Sequence, residues 1–314
     1  MGSFLIRRFA QGVATVLLAS ILVFLVMRLI PGDPALLLVG TDASAEDIER
    51  VRERLGLNEP LVEQYVDWLS GAVRGDFGPS FTKGAEVGSL MTVALVPSAE
   101  LAIAGYLFVL VVGIPLGIFA GLRPGGAPDY AATGFTMFTL GIPNFVLGII
   151  LIWVLAVELS LLPITGRVAI TEDPLEGLRF LVMPMIAVGA GTAAILARFV
   201  RASIMETLNQ DYVRTARAKG LRERTVVLRH AMRNALIPVI TVAALQIGFL
   251  ISGAVIVEVV FARPGFGSLI IDGVIGRDYQ LIQGMLTVLV TVFVVVNTLA
   301  DVAYGFVDPR IRVQ

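Results

Sequence analysis

The sequence contains no cysteine and a single histidine, His230. Disulfides, thiolate nucleophiles and cysteine-ligated metals are therefore excluded, and a dedicated zinc or transition-metal centre has too few donors. Lysine is almost absent too. Lys83 and Lys219 follow Thr82 and Ala218, so the Gly-Lys of a phosphate-cradling loop does not occur, and the chain cannot be its own ATPase. Charge of either sign is scarce, at 16% Asp, Glu, Lys and Arg against roughly 25% in soluble domains. What fills the space is apolar: 56% of the residues are hydrophobic and the mean hydropathy is +0.85, the composition of an integral membrane protein. No pair of acids is placed for hydrolysis, and no Ser/His/Asp arrangement or intramembrane protease constellation is present.

Charge-free windows of 18 or more residues, the length a helix needs to cross a bilayer, occur at 9–27, 101–122, 130–157, 180–197, 234–257 and 279–300. The first follows Arg7 and Arg8 but is too long for a signal-peptide core and lacks a cleavage site, so it reads as a retained span. Six spans place both termini on one side. Arg7, Arg8, Arg123, Arg310, Arg312 and the bases of 198–234 collect there, which makes that side cytoplasmic. The segment 31–97 faces the other way with eleven acids against five bases.

The expected organisation is all-α: an N-terminal segment and first span over 1–30, a helical extracytoplasmic insertion over 31–97, a five-helix core over 98–306 and a cytoplasmic tail over 307–314. Within the insertion, Ser44 with Asp47 resembles a capping box, Ile48, Val51 and Leu55 share a face, and Gly56 stops the helix. A second helix begins near Pro60 with Leu61, Tyr65, Trp68 and Leu69 as its apolar stripe, and 74–81 reads as turn. Pro115, Pro143 and Pro184 fall inside spans and predict kinks. Arg28, Glu100, Glu158 and Glu258 fall at outer span ends and read as interface anchors. Asn297, Asp301 and Tyr304 share a helix face and read as a hydrogen-bond cluster. His230 has no acid in helical register and reads as an interface residue.

The most polar stretch of the second half is 198–234, with nine bases (Arg198, Arg201, Arg214, Arg217, Lys219, Arg222, Arg224, Arg229, Arg233) against Glu206, Asp211 and Glu223, or 9 − 3 = +6. One or two bases suffice to orient a loop. The extra feature is punctuation: Asn209 or Gln210 as N-cap, Asp211 in the first turn and Gly220 at C′ enclose a helix of about ten residues, about 15 Å long. A short capped basic helix between two spans is a docking element. Nucleic acid is a poor partner for it, because Tyr212 is the single aromatic available for stacking.

DYVRTARAKGL at 211–221 followed by RHAMRNALIPV at 229–239 resembles the signature loop of permeases of binding-protein-dependent ABC importers, in the branch that takes dipeptides, oligopeptides and nickel. PGDP at 31–34, GDFG at 75–78, GIPNF at 141–145, LPITG at 162–166, PGFG at 264–267 and the tail from Asn297 to Arg310 extend the match over nearly the whole chain. The resemblance implies the six-helix type I importer permease fold in a bacterial or archaeal plasma membrane. It further implies a second permease subunit, two cytoplasmic ATPases that bind the ATP and Mg, an extracytoplasmic substrate-binding protein, and no cofactor in this chain. Glu206, Asp211, Tyr212, Arg214, Thr215, Ala216, Arg217, Ala218, Lys219 and Gly220 then form the ATPase-coupling site. The turn-rich loop with Phe261, Arg263, Pro264, Gly265, Phe266 and Gly267 lies on the side where a binding protein would dock. Di- or oligopeptides are the implied cargo. Nickel or another small solute, an ion-coupled carrier without an ATPase, and a receptor-like membrane protein without flux remain as alternatives.

Overall fold

The computed structural model describes residues 2–29, 34–39 and 44–307. The motif residues 31–33 and the tail 308–314 lie outside these, as do the side chains of Asp301 and Tyr304 in the expected cluster. Among the described residues every regular element is helical, and Pro79 with Glu86 forms an isolated antiparallel bridge. In order the helices are α1 (Gly2–Leu29), α2 (Pro34–Val39), α3 (Ala45–Arg54), α4 (Leu61–Val73), α5 (Val87–Phe108), α6 (Ile114–Leu122), α7 (Ala127–Gly141), α8 (Asn144–Leu151), α9 (Pro174–Leu208), α10 (Asp211–Ala218), α11 (Glu223–Thr225), α12 (Met232–Leu245), α13 (Ile247–Val260), α14 (Phe266–Gly276) and α15 (Tyr279–Val307).

Ile6–Leu29, Val87–Leu122, Pro174–Leu208, Glu223–Leu245 and Tyr279–Ala300 are each long and apolar enough to cross a membrane, and the bent pair Ala127–Gly141 with Asn144–Glu158 makes a sixth when counted as one span. Two expected spans differ from straight helices. The window 130–157 is broken by a 106° bend. Ile142 there is extended (φ −118°, ψ 126°), because the ring of Pro143 disfavours helical geometry in the residue before it. The window 234–257 is two helices. At Gln246 ψ opens to −12° and its N–H is shared between the carbonyls of Val242 and Ala243, a tightened turn that ends α12. The second span also starts earlier than its charge-free window, at Val87, inside the segment 31–97.

Pro115 sits just beyond a π-helical turn, Val109–Gly113, that joins α5 to α6. The wider turn makes room for a ring that would otherwise strike the carbonyl four residues back.

The chain divides into two compact units, one of Ile6–Ser98 with Pro264–Val295 and one built on Ala99–Arg263. In the first, Ser44 accepts the N–H of Asp47 at 3.2 Å and donates its hydroxyl to the Asp47 carboxylate at 2.6 Å, so α3 starts where expected, and Gly56 (φ +64°) follows its end. On α4 the expected stripe holds at Tyr65, Trp68 and Leu69, which are partly buried, while Leu61 is half exposed and Gln64 beside the stripe is the most buried position. Tyr65 fixes α4 to α1 through a 2.8 Å hydrogen bond with Ser20 and an edge contact with Phe24, ring centroids 5.4 Å apart. Buried Asp278 caps α15 through the N–H of Leu281 and accepts from Ser80 and from both the N–H and hydroxyl of Thr82. Val87, Met91, Phe266, Ile270, Leu281 and Met285 close this unit's core.

The second unit is organised around α9, which at 35 residues is about 52 Å long. Gly113 at the end of the π-helical turn and Gly117 and Gly121 on α6 line one edge against α9. A Cβ on Gly117 would meet the Ala197 carbonyl and Val200 Cβ at 2.5 Å, so the close approach of the two backbones requires glycine. Asp129 on α7 receives a two-point fork from Arg201 on α9, with contacts of 2.5 and 2.9 Å.

Candidate coupling site

Helix α9 ends at Leu208, and Asn209 closes it, its N–H donating to the Glu206 carbonyl at 3.2 Å and its side chain turning back to Met205. Asn209 therefore does not cap the next helix. Gln210 holds the N-cap position of α10 but contributes only its backbone: its carbonyl accepts from Val213 and Arg214, and its side chain makes no cap. The eight-residue helix is about 12 Å long, shorter than expected. Its stop is as the sequence indicates. Gly220 is left-handed (φ +74°), its N–H reaches the Arg217 carbonyl at 2.9 Å, and the N–H of Leu221 reaches the Ala216 carbonyl at 3.4 Å, the paired bonds of a Schellman close.

One face of α10 is seated. Val213 is fully buried and Ala216 nearly so, in a cluster with Val226, Ala231 and Leu208. The opposite side presents Asp211, Tyr212, Arg214, Thr215, Ala218 and Lys219 to the surroundings. Arg217 spans from this surface to Glu223, donating through Nε and Nη2 at 3.1 and 2.7 Å, and that hydrogen-bonded carboxylate holds the guanidinium above its ordinary pKa. Asn234 donates to the Tyr212 hydroxyl at 3.0 Å, which ties α10 to α12 as well. Glu206 is exposed, but it lies in the final turn of α9 and not on α10. Nothing here is arranged to react. Among the described residues no cluster of His, Asp and Glu is placed to hold a metal.

Most of the loop after α13 is buried within the chain. Arg263 is fully buried, and its Nη2 donates to Glu100 at 2.7 Å, while Arg167 donates to the same carboxylate through Nε and Nη2 at 2.9 and 2.7 Å. Burial lowers the pKa of Arg263, with the Glu100 charge opposing it, whereas the hydrogen bond to Glu100 raises that of Arg167. Phe261, Gly265, Phe266 and Gly267 are buried as well, and Pro264 alone of the six is exposed. Glu100 and Glu258 are not interface anchors: Glu100 is the centre of an ion network and Glu258 is 1% exposed. Glu158, which accepts from Trp153 Nε1 at 3.0 Å, and Arg28, which stacks on Phe24 at 4.9 Å, keep partners on their own elements.

The described residues thus form a multi-pass helical protein with a seated, capped helix between spans. The chain belongs to the family described as the binding-protein-dependent transport system inner membrane component, which matches residues 113–313, and the family's N-terminal membrane component matches residues 1–86. It is 37% identical over 312 residues to the probable peptide ABC transporter permease protein y4tP of Sinorhizobium fredii (99% of this chain, 100% of that one). It is 39% identical over 312 residues to the glutathione transport system permease protein GsiC of Escherichia coli strain K12 (99% of each chain). Among solved structures, the MetNI methionine ABC transporter in inward-facing conformations has a chain that superposes with a TM-score of 0.55 at 17% identity, covering 70% of this chain and 96% of that one, a likeness of fold. The chain is thus a multi-pass inner-membrane permease subunit of a binding-protein-dependent ABC importer with the type I fold. It has no ATPase site of its own, and other subunits hydrolyse the ATP.

Proposed function

We propose that this permease imports di- or oligopeptides, forming half of the pathway beside a second, similar permease. Two ATPases that bind ATP and Mg work from the cytoplasm, and a substrate-binding protein delivers cargo from outside a bacterial or archaeal cell. The cargo reading is supported by the names of relatives 37–39% identical over almost the whole chain. With both termini cytoplasmic, as the positive-inside distribution indicates, α10 faces the ATPases.

The observation that carries the coupling role is the two-faced build of α10: a buried Val213/Ala216 seat, a left-handed stop and an exposed polar surface with Asp211, Arg214 and Lys219. Driving a two-state bundle from about 1:99 to about 99:1 takes about 5.5 kcal/mol of differential binding, and a helix fixed at both ends transmits such a load without dissipating it in local bending. An ion-coupled carrier without an ATPase is set aside by the family. Nickel and other small solutes remain competitors within it.

In the assembled complex, Ala216→Pro and Gly220→Val are expected to leave the subunit inserted while abolishing transport and the stimulation of ATP hydrolysis by loaded binding protein. Normal stimulation in both variants would refute the coupling role. Uptake of a labelled tripeptide that unlabelled peptides suppress and nickel salts do not is expected for the cargo; the reverse pattern overturns it.

A further inference from the structure

In the unit formed by Ile6–Ser98 and Pro264–Val295, α1, α4, the 53–59 turn, the 76–81 loop and the start of α15 enclose a cavity of about 400 Å³. That volume lies in the range of small-molecule pockets. Its lining is unusual in one respect: it gathers buried polar atoms that find no hydrogen-bond partner among the described residues. These are Arg28 Nε, Trp68 Nε1, Tyr279 Oη and Gln283 Nε2, together with Gln64 Oε1. Tyr279, Gln283 and Gln64 are 4%, 3% and 9% exposed, so bulk solvent does not reach them freely. The Gln64 amide is oriented by its own contacts, since Nε2 donates to the carbonyls of Leu57 and Glu59 at 3.2 and 2.7 Å and leaves Oε1 as the free acceptor. Buried polar groups without partners are costly, and a cluster of them in one cavity indicates something that satisfies them together.

The signs are segregated. The buried part of the lining is dominated by N–H and O–H donors, one of them on a guanidinium, with Gln64 Oε1 as an acceptor beside them. The exposed part carries four carboxylates, Glu53, Glu59, Asp67 and Asp76, against one base, Arg54. Scattered water would satisfy single atoms, but it accounts neither for this grouping nor for the aromatic walls of Phe24, Trp68, Phe77 and Tyr279. The walls are also held in place. Phe24 is fixed by Tyr65, and left-handed Gly78 lies so close to Gln280 that a Cβ there would meet its amide at 2.5 Å.

We infer that this cavity is a solute site on the permease itself for a compact zwitterion, with a carboxylate received by Arg28, Trp68, Tyr279 and Gln283 and an ammonium turned toward the acids at the mouth. That the zwitterion is a short peptide rests on the peptide-import reading above; the charge pattern of the site does not.

The test uses the assembled complex in lipid nanodiscs without binding protein or nucleotide, and trialanine as probe. Saturable binding is expected, weakened about tenfold or more when the C-terminal carboxylate is amidated, because a hydrogen-bonded charge is lost from a desolvated site. N-acetylation is expected to weaken it less, since the acids at the mouth are solvent-screened. Tyr279→Phe and Gln283→Leu are each expected to lower affinity about tenfold. Because these variants can fail to assemble, a diazirine-bearing tripeptide on the unaltered complex gives an independent readout: adducts are expected within 53–81 and 279–283. Absence of binding, indifference to amidation, or adducts confined elsewhere overturns the inference and marks the cavity as water-filled. Uptake of trialanine by the complete system, measured in parallel, separates the two proposals. Uptake without cavity binding sinks this site and leaves the cargo reading intact; cavity binding without uptake does the opposite.

Discussion

Arg217 and Glu223 meet in a two-point fork, 3.1 and 2.7 Å long, across the left-handed turn at Gly220. The fork ties the end of α10 to the start of the next membrane helix. Both side chains are substantially exposed, at 41% and 60%, so its contribution to stability is about 1 kcal/mol or less. Glu223→Gln is therefore expected to leave the melting temperature nearly unchanged while lowering substrate moved per ATP hydrolysed in proteoliposomes. An unaltered ratio would show that the fork does not serve coupling.

The apolar seat of α10 is a stronger restraint than the fork. Val213→Ala removes two methyl groups from a fully buried position beside Val226, a loss of about 1–2 kcal/mol. Amide hydrogen exchange is expected to accelerate across 211–219 and to stay unchanged in α9.

Glu100 neutralises an arginine that has no access to solvent. Glu100→Gln leaves Arg263 buried without its hydrogen-bonded carboxylate, with Glu258 as the remaining nearby acid, and a loss of about 3 kcal/mol is expected, read as a lowered unfolding transition in detergent. Adding Arg263→Met to the same chain is expected to recover part of it, because the buried guanidinium leaves with the side chain while Arg167 stays unpaired and Glu258 loses a nearby positive charge.

Gly117→Ala is expected to cost about 1–3 kcal/mol, since the new methyl would sit 2.5 Å from the Ala197 carbonyl and Val200 Cβ. Gly134→Ala is the control. No neighbouring atom lies within 4 Å of its Cβ position, and the same thermal assay is expected to show no loss.

What the sequence made legible was local. Gly220 and Gly56 announced left-handed stops, and Ser44 announced a cap, because each signal concerns backbone bonds within four residues. The bend at Ile142 was also local, written in the residue before Pro143, but a charge-free window does not register geometry. Arg263 could not be read this way. Its partner lies 163 positions away, and an arginine beside a span end has the same sequence signature whether it faces lipid headgroups or a buried carboxylate. The glycines at 113, 117 and 121 did carry a spacing signal, the small-xxx-small pattern of close helix packing. The unsatisfied atoms of Arg28, Gln64, Trp68, Tyr279 and Gln283 had none, because they come from elements far apart in the chain and form a group only once those elements fold together.

The length and centrality of α9 also bear on how the protein is made. The helix packs on α6, which precedes it from the ribosome, and on α12, which follows it. When α9 enters the membrane, the part of its final neighbourhood that includes α12 and α13 has not yet been synthesised. Its central surface is built from Ala187, Ala190, Ala193, Ala194 and Ala197 rather than from charge, and its mean hydropathy over an 18-residue window is 2.1. Acyl chains can therefore occupy the place of α12 until it arrives, so each newly inserted helix of this unit is tolerable to lipid before the bundle is complete.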